Sequence, residues 1–341
     1  MPHIKTEITE IVTGLGMLEY PSFAKALSSR APEMFNMGQE NWQRLDEAHE
    51  SGKYENEIES AWDNGRFFLY AKDGLRGRSP LKIEWKGPQN PPGYDFLPAD
   101  LRVDHVYLIS CKYLSKVLAN LSPPHLFQRL MAERGQRDSI DWYLKIAPEA
   151  YQNFYQKVRE DLQKKTDLPA DIRQLSISDR KILKSSYERT WPDHLQIEYN
   201  QFAVQVGKNS AELWQKLTPE VVGQELLLWR MLRLNSSSYF ILGSSRNSSL
   251  RLRVGTPWDW RQNYMLKEFD VSYSTNSSPQ TPIQPMVSWR ATIEEKKSRF
   301  LHEIKGHVEI RWSHGRFCGN PEAKLYLDSE HSKVPGYYPI M

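Results

Sequence analysis

The chain has 341 residues, of which 39% are hydrophobic and 26% are charged, proportions typical of folded globular proteins. Its 11 Trp, 17 Tyr and 12 Phe residues exclude a mainly disordered chain, because they supply enough apolar surface to bury. The net charge of +3 is too small to indicate a partner by itself, and two cysteines exclude a disulfide-stabilised scaffold.

The first part of the chain is predicted to form helices and then strands. Residues 1–50 have an amphipathic helical pattern, and a second helix is predicted at about 54–62, ended by the turn pair Asn64-Gly65. The residue pattern then predicts four strands, at residues 66–71, 80–86, 96–103 and 106–113. Asp104-His105 separates the last two strands as a short turn, which predicts an antiparallel hairpin.

The remainder is predicted to be helical up to residue 234 and rich in strands beyond it. A helix begins at Ser122 with prolines in its first turn, and further helical blocks cover 147–191 and 211–234. Beyond residue 235, short alternating runs between Ser- and Asn-rich loops predict strands. We therefore predict an α+β fold in three parts: a helical N-terminus with an αβ core (1–140), a helical region (141–234) and a β-rich domain (235–341).

Asp100 and Lys112 are the best candidates for chemistry in the predicted hairpin. Asp100 lies late in one strand and Lys112 near the end of the next, so the hairpin would place them on neighbouring strands. A carboxylate can ligate Mg²⁺, which lowers the pKa of a bound water and offsets charge on a phosphoryl oxygen. A lysine beside it can hold the attacking water. In the structural alternative, Asp100 pairs with Arg102 or caps the turn, and Lys112 is a solvated strand end.

Two short motifs lie in the predicted hairpin, Pro98-Ala99-Asp100 in the first strand and Ser110-Cys111-Lys112 in the second. With these as its two half-motifs, the stretch 54–135 resembles the PD-(D/E)XK nuclease superfamily, which has the restriction-endonuclease-like fold. It covers about a quarter of the chain. Ser110 stands where the family usually has Asp or Glu, and some members take this acid from a neighbouring helix or strand. In this chain Glu84 is the first candidate for that acid, followed by Glu57 and Glu59.

The resemblance implies a metal-dependent nuclease that cleaves DNA phosphodiester bonds, in a setting of restriction or anti-phage defence. Asp100 and Glu84 would ligate Mg²⁺ or Mn²⁺, and Lys112 would position or activate the water. In the alternative, the chain is a non-catalytic nucleic-acid-binding or assembly subunit with a degenerate nuclease fold, which Ser110 favours. A third hypothesis, from the Trp content, is a carbohydrate- or protein-binding β-domain on a helical base.

Basic side chains suited to phosphate contacts occur in two regions. Residues 1–100 contain 11 basic and 16 acidic side chains, whereas residues 201–300 contain 13 basic and 8 acidic ones. We expect DNA contacts from six arginines, Arg76, Arg78, Arg251, Arg253, Arg311 and Arg316. The alternatives are solvated turns for the first two and cation–π packing within the β-rich domain for the others.

The sequence also predicts where the protein acts. The most apolar stretch, residues 226–232, contains Arg230, so we expect no membrane contact. The N-terminus carries Glu7 and Glu10 and has no basic-then-apolar signal pattern. Together with the low cysteine content, these features predict a cytoplasmic protein. The expected partner is DNA, and a homo-oligomer and a partner subunit are both left open.

Overall fold

The structure is a computed structural model that describes residues 4–87, 98–132, 140–163, 166–187, 191–218, 221–245, 248–275 and 284–341. The fold is mixed α+β, as predicted. The chain divides into two compact units. The first unit comprises Met1–Ser115, Arg233–Tyr264 and Glu330–Met341, and the second unit comprises Lys116–Leu232 and Met265–Ser329.

The helices, in chain order, are α1 (Ile4–Gly16), α2 (Phe23–Ser28), α3 (Gln39–Glu50), α4 (Glu55–Tyr70), α5 (Pro123–Phe127), α6 (Trp142–Ile146), α7 (Pro148–Leu162), α8 (Ile177–Ser186), α9 (Asp193–Leu217), α10 (Val221–Met231) and α11 (Pro257–Asn263). The strands are β1 (Met34–Phe35), β2 (Ile83–Trp85), β3 (Leu101–Val103), β4 (Tyr107–Tyr113), β5 (Val117–Leu121), β6 (Tyr239–Ser244), β7 (Ser249–Val254), β8 (Tyr264–Thr275), β9 (Pro285–Glu295), β10 (Leu301–Arg311), β11 (Glu322–Leu327) and β12 (Tyr337–Pro339). Among the described residues, no helix has both the length and the apolar character needed to cross a bilayer.

A seven-stranded mixed sheet organises the first unit, in the order β1-β2-β3-β4-β6-β7-β12. β2, β3 and β4 are antiparallel neighbours, and β4 runs parallel to β6. α1 and α4 pack against each other and against this sheet. The apolar side chains of α1 that recur at helical spacing, such as Ile8, Ile11 and Leu15, are fully buried there with Ile83 and Val103 of the sheet.

α4 differs from the sequence-based prediction. The pattern predicts a strand at residues 66–71, but the helix continues through them to Tyr70. This prediction is wrong because Asn64-Gly65 is not a turn. Gly65 is the point where α4 meets α1, and a Cβ atom there would lie only 2.3 Å from the carbonyl oxygen of Thr13. The glycine allows the two helices to approach closely, and the apolar run that follows, with Phe68, enters the core.

The hairpin of β3 and β4 forms where the sequence predicts it. Asp104 and His105 both adopt positive φ, +47° and +59°, as in the type I′ turns that favour Asn, Asp and Gly. The N–H of Val106 donates to the carbonyl oxygen of Val103 at 3.0 Å and closes the turn. Because one face of this hairpin is buried in the core, the turn and the alternating pattern together determine its register.

The two units do not follow the predicted three-part division at 1–140, 141–234 and 235–341. β6, β7 and β12 belong to the sheet of the first unit, although they lie in the predicted C-terminal domain. Lys116–Leu232, which belongs to the second unit, is inserted in the chain between β4 and β6. β4 and β6 are parallel, so a long connection between them is required, and its length cannot be read from local patterns.

The second unit combines the helices from α5 to α10 with a sheet in the order β5-β11-β10-β9-β8. α9 packs on β9, where Gly207 permits a close approach to the backbone of Met286. Aromatic rings of α7 and α9 pack in its core, where Phe202 stacks on both Tyr151 and Phe154. The side chains of α7 that recur at helical spacing are buried, namely Tyr151, Phe154, Tyr155, Val158 and Leu162.

Candidate active site

Asp100 lies at the N-terminal end of β3. Its N–H donates to the carbonyl oxygen of Ile109 at 2.7 Å, and its carbonyl oxygen accepts from the N–H of Lys86 at 2.9 Å. Its carboxylate oxygen Oδ2 accepts from the N–H of Cys111 at 2.6 Å and from the hydroxyl of Ser110 at 3.3 Å. Among the described residues, Oδ1 has no hydrogen-bond partner. One carboxylate oxygen is therefore fixed, and the other remains available.

Lys112 approaches Asp100 from the neighbouring strand. It lies two residues after Ser110 on β4, so both side chains emerge on the same face of the sheet. β3 and β4 are adjacent and antiparallel, as the sequence predicts. Burial raises the pKa of Asp100, against the opposing effects of the hydrogen bond from the N–H of Cys111 and the positive charge of Lys112. Burial also lowers the pKa of Lys112, against the opposing effect of Asp100. The structure therefore brings these two groups into electrostatic contact.

Glu10 on α1 is the third member of this group, and the sequence reasoning missed it. Its carboxylate oxygen Oε2 accepts from the indole N–H of Trp85 at 2.8 Å. Burial, reinforced by the nearby carboxylate of Asp100, raises the pKa of Glu10 to about 8. Among the described residues, its second oxygen Oε1 has no hydrogen-bond partner. The carboxylates of Glu10 and Asp100 are thus close enough for electrostatic repulsion between their ionised forms.

A signal for Glu10 does exist in the sequence. Glu7 and Glu10 sit among the apolar residues of an amphipathic helix, where an acid needs either a cation or a functional reason. Glu7 has a cation: the guanidinium of Arg44 lies 3.0 Å from its Oε1, and the Asn41 amide donates to the same atom at 2.6 Å. No ion pair is found for Glu10 among the described residues, so Glu10 is the acid that needs a functional explanation.

Glu84, the acid predicted from the sequence, has a different role. Its Oε1 accepts from the guanidinium of Arg102 at 2.9 Å, and the ammonium of Lys82 lies 3.1 Å away. The hydrogen bond from Arg102, with the added contribution of Lys82, lowers the pKa of Glu84 to about 2. Two cations already neutralise this carboxylate, so these contacts do not favour Glu84 as the second metal-binding acid, and its role stays a prediction.

The two other acids considered from the sequence are not placed in the group either. Glu57 pairs with Lys5, whose hydrogen bond lowers the pKa of that carboxyl. Glu59 is exposed on α4. All three acids lie on helices, so the secondary structure alone does not distinguish Glu57 and Glu59 from Glu10. They differ in environment because only one face of each helix packs against the sheet.

Glu84→Gln should weaken the fold in a pH-dependent way. The folded-state pKa is depressed, so the ion pair stabilises the protein above the unfolded pKa near 4.5, and this contribution is lost as the pH falls towards about 2. For a partly solvated pair we expect a loss of about 1 to 3 kcal/mol at pH 7. Urea unfolding at pH 7 and pH 3 measures it, and the wild type and variant should differ less at the lower pH. Equal differences at both pH values would contradict the ion-pair explanation.

Glu10 and Asp100 have the donor chemistry of a Mg²⁺ or Mn²⁺ site. Magnesium is commonly held by one or two carboxylates, with waters and substrate phosphate oxygens as its other ligands. Each carboxylate has one oxygen fixed by a hydrogen bond and a second oxygen free of such bonds among the described residues. No cluster of three or more His, Cys, Asp or Glu side chains suited to a metal is found within the described ranges. The two acids therefore fit an open metal site that substrate completes.

The arginines predicted to contact DNA make intramolecular contacts in the first unit. Arg76 and Arg78 donate from Nε to backbone carbonyl groups of their own turn, at 2.6 and 3.2 Å. The guanidinium of Arg253 lies over a tyrosine ring, 5.3 Å from its centroid. Arg251 hydrogen-bonds to a buried asparagine. These contacts do not by themselves make a polyanion surface, although each side chain still carries its charge.

The two arginines of the second unit pack against their neighbours. The guanidinium of Arg316 lies 3.9 Å from the ring centroid of Trp191, and burial lowers the pKa of Arg316. Arg311 is 3.4 Å from the carboxylate of Glu309. Arg316 thus fits the cation–π alternative for this region, whereas the expected phosphate contact finds no support in these contacts.

We compared the chain with protein-family models, with curated proteins and with solved structures, and none of these comparisons gives a match. The candidate site consists of Glu10, Asp100 and Lys112, together with the Ser110 and Cys111 groups that hold Asp100.

Proposed function

We propose that this protein is a metal-dependent nuclease that cleaves DNA phosphodiester bonds. The observation that carries the proposal is the meeting of Glu10, Asp100 and Lys112, with both acid pKa values raised and the lysine pKa lowered. Such opposed shifts in one group of titratable residues are characteristic of functional sites. The position of Glu10 also supports the resemblance to the PD-(D/E)XK superfamily, since a helix supplies the acid that Ser110 cannot.

In this proposal the two carboxylates hold the metal and the lysine acts on the substrate. Glu10 and Asp100 would bind Mg²⁺ or Mn²⁺, which supplies a bound water of lowered pKa and offsets charge on the phosphoryl oxygen. The N–H of Cys111 keeps the carboxylate of Asp100 in a fixed orientation. The indole of Trp85 does the same for Glu10. Lys112, as a cation beside them, would orient the attacking water or stabilise the negative charge that develops on the phosphate.

The biological setting is part of the proposal. The resemblance favours a role in restriction or anti-phage defence, and the protein would act in the cytoplasm. Cys111 and Cys318 are both free thiols, which fits a reducing compartment.

Cleavage assays with the purified protein test the proposal directly. Single- and double-stranded DNA and RNA are incubated with Mg²⁺, Mn²⁺ or EDTA, and the products are resolved on denaturing gels. We expect metal-dependent cleavage of DNA that falls at least about a hundredfold in Asp100→Asn, because this change removes anionic charge from a metal ligand. Glu59→Gln, at an exposed acid of α4, is the matched control and should cleave normally.

A non-catalytic nucleic-acid-binding subunit is the second candidate, and Ser110 is the observation that favours it. A serine hydroxyl is neutral near pH 7 and cannot replace an anionic ligand. If no substrate is cut with either metal but DNA is retained in a salt-dependent manner, the nuclease proposal fails and this candidate replaces it.

A further inference from the structure

The first unit also has a cationic depression, whose lining does not include Glu10, Asp100 or Lys112. An open depression of about 530 Å³ is formed by the C-terminal half of α4, the turn that follows it and β7. Three cations line it, Arg66, Lys72 and Arg251, against one acid, Asp63. A concave site with this excess of positive charge favours an anionic ligand.

Arg251 is held in position before any ligand arrives. Its Nε–H donates to the Oδ1 atom of Asn64 at 2.9 Å, and its guanidinium lies 4.1 Å from the ring centroid of Phe67. Asn64 is itself buried and donates to the carbonyl oxygen of Gly243 at 2.9 Å. Among the described residues, no acceptor is found for the terminal Nη groups of Arg251. They are therefore available for an anion, and a fixed guanidinium loses little entropy on binding one.

The other walls of the depression add a second fixed guanidinium and exposed aromatic surface. Arg66 lies 5.1 Å from the ring centroid of Tyr70 and donates to its hydroxyl at 3.2 Å. Tyr70 is 58% exposed, which is unusual for a side chain of this size on a core helix. Partial burial lowers the pKa of Arg251, because the charged guanidinium loses part of its hydration. An anion bound beside the guanidinium would offset this loss.

We propose that this depression binds a nucleotide, with its phosphate at Arg66 and Arg251 and its base against the exposed ring of Tyr70. Two guanidinium groups match the oxygens of a phosphate, which arginine recognises through paired hydrogen bonds. The ring of Tyr70, which is 58% exposed, offers a flat surface on which a base can stack. Lys72, exposed at the rim, adds charge for the approach of the ligand.

The nucleotide can be a free molecule or the 5′-phosphorylated end of a nucleic-acid strand, since both present the same chemistry. Binding at this site needs no metal and no cleavage, so it does not rest on the proposed nuclease function. A strand end held here would add a phosphate contact for a nuclease, whereas a free nucleotide would be a ligand in its own right.

Calorimetric titrations in EDTA separate these sources. The probes are adenosine 5′-monophosphate, inorganic phosphate, and one short single-stranded DNA with and without a 5′-phosphate. The proposal expects the nucleotide to bind at least about tenfold more tightly than inorganic phosphate, because the base adds stacking. Tighter binding of the phosphorylated strand than of the mononucleotide identifies a strand end, and the reverse identifies a free nucleotide. The proposal would be overturned if neither the mononucleotide nor the phosphorylated strand binds, or if inorganic phosphate binds as tightly as the mononucleotide.

Two variants assign the binding to these residues. Arg251→Gln and Arg66→Gln should each weaken nucleotide binding at least about tenfold, because each removes a charged donor to the phosphate. Arg253→Gln is the matched control, since Arg253 is two residues along the same strand, packs on Tyr338 and does not line the depression. Thermal unfolding checks that Arg251→Gln still folds. If Arg251→Gln does not fold, Arg66→Gln still tests the proposal, because Arg66 is partly exposed on α4. Unchanged nucleotide affinity in Arg66→Gln, or equal losses in Arg253→Gln, would move the site elsewhere.

Discussion

Glu10→Gln should abolish metal-dependent cleavage while making the metal-free protein more stable. The variant loses one of the two proposed anionic ligands, and we expect a rate about a thousandfold lower, because the several kcal/mol of charge stabilisation that a metal supplies corresponds to about three powers of ten. The glutamine oxygen can still accept the hydrogen bond that Trp85 donates to Glu10 at 2.8 Å, so local packing is retained. Single-turnover cleavage assays measure the rate.

The stability of the same variant should change in the opposite direction. The folded-state pKa of Glu10 is raised to about 8, above the value near 4.5 of an unfolded chain. The wild type is therefore destabilised progressively as the pH rises between these values, and glutamine has no proton to lose. Thermal unfolding in EDTA at pH 8.5 should show a higher midpoint for Glu10→Gln than for the wild type.

Glu84→Gln is the matched control for both measurements, because it makes the same chemical change on β2, the strand that pairs with β3. It should keep cleavage activity and lose stability, the reverse of Glu10→Gln. If Glu84→Gln loses cleavage and Glu10→Gln keeps it, the second acid is Glu84, and its contacts with Arg102 and Lys82 must be exchanged for the metal.

Metal binding should release protons, and its affinity should depend steeply on pH. Below pH 8 Glu10 is mainly protonated in the folded protein, and the raised pKa of Asp100 acts in the same direction. A divalent ion has to displace these protons, so the apparent affinity should rise about tenfold per pH unit up to about pH 8 and then level off. Titration of Mn²⁺ in buffers of different ionisation enthalpy measures the number of protons released.

The Asp100→Asn variant supplies the control for this titration. Asparagine removes the carboxylate that raises the pKa of Glu10, so any remaining pH dependence should shift to lower pH. A metal affinity that is independent of pH between 6 and 8 in the wild type would show that the metal binds elsewhere.

The hairpin and two of the three site residues were predictable because the evidence is local. Asp100 and Lys112 flank a short turn, and alternation along two strands determines which side chains share a face. The alternating runs of β7 and β10 were recognisable for the same reason. In the hairpin, the two paired strands are close in the sequence. In β7 and β10, the alternation of apolar and polar residues shows which side chains face the core.

Glu10 was not predictable in this way because its contact with Asp100 joins a helix to a strand far along the chain. The apolar run 66–71 fits a strand or a buried helix equally well by composition, and only the helix contact at Gly65 decides between them. The membership of β6 and β7 in the first sheet likewise depends on pairing across the whole insertion.

The insertion of Lys116–Leu232 between β4 and β6 also determines the order in which the protein can fold during synthesis. β4, which carries Lys112, has no partner on one side until β6 leaves the ribosome, about 6 to 25 s later at roughly 5 to 20 residues per second. During that interval its open edge can pair with another nascent chain. A chaperone that shields this edge should therefore raise the soluble yield more than slower synthesis does, since slower synthesis lengthens the exposure.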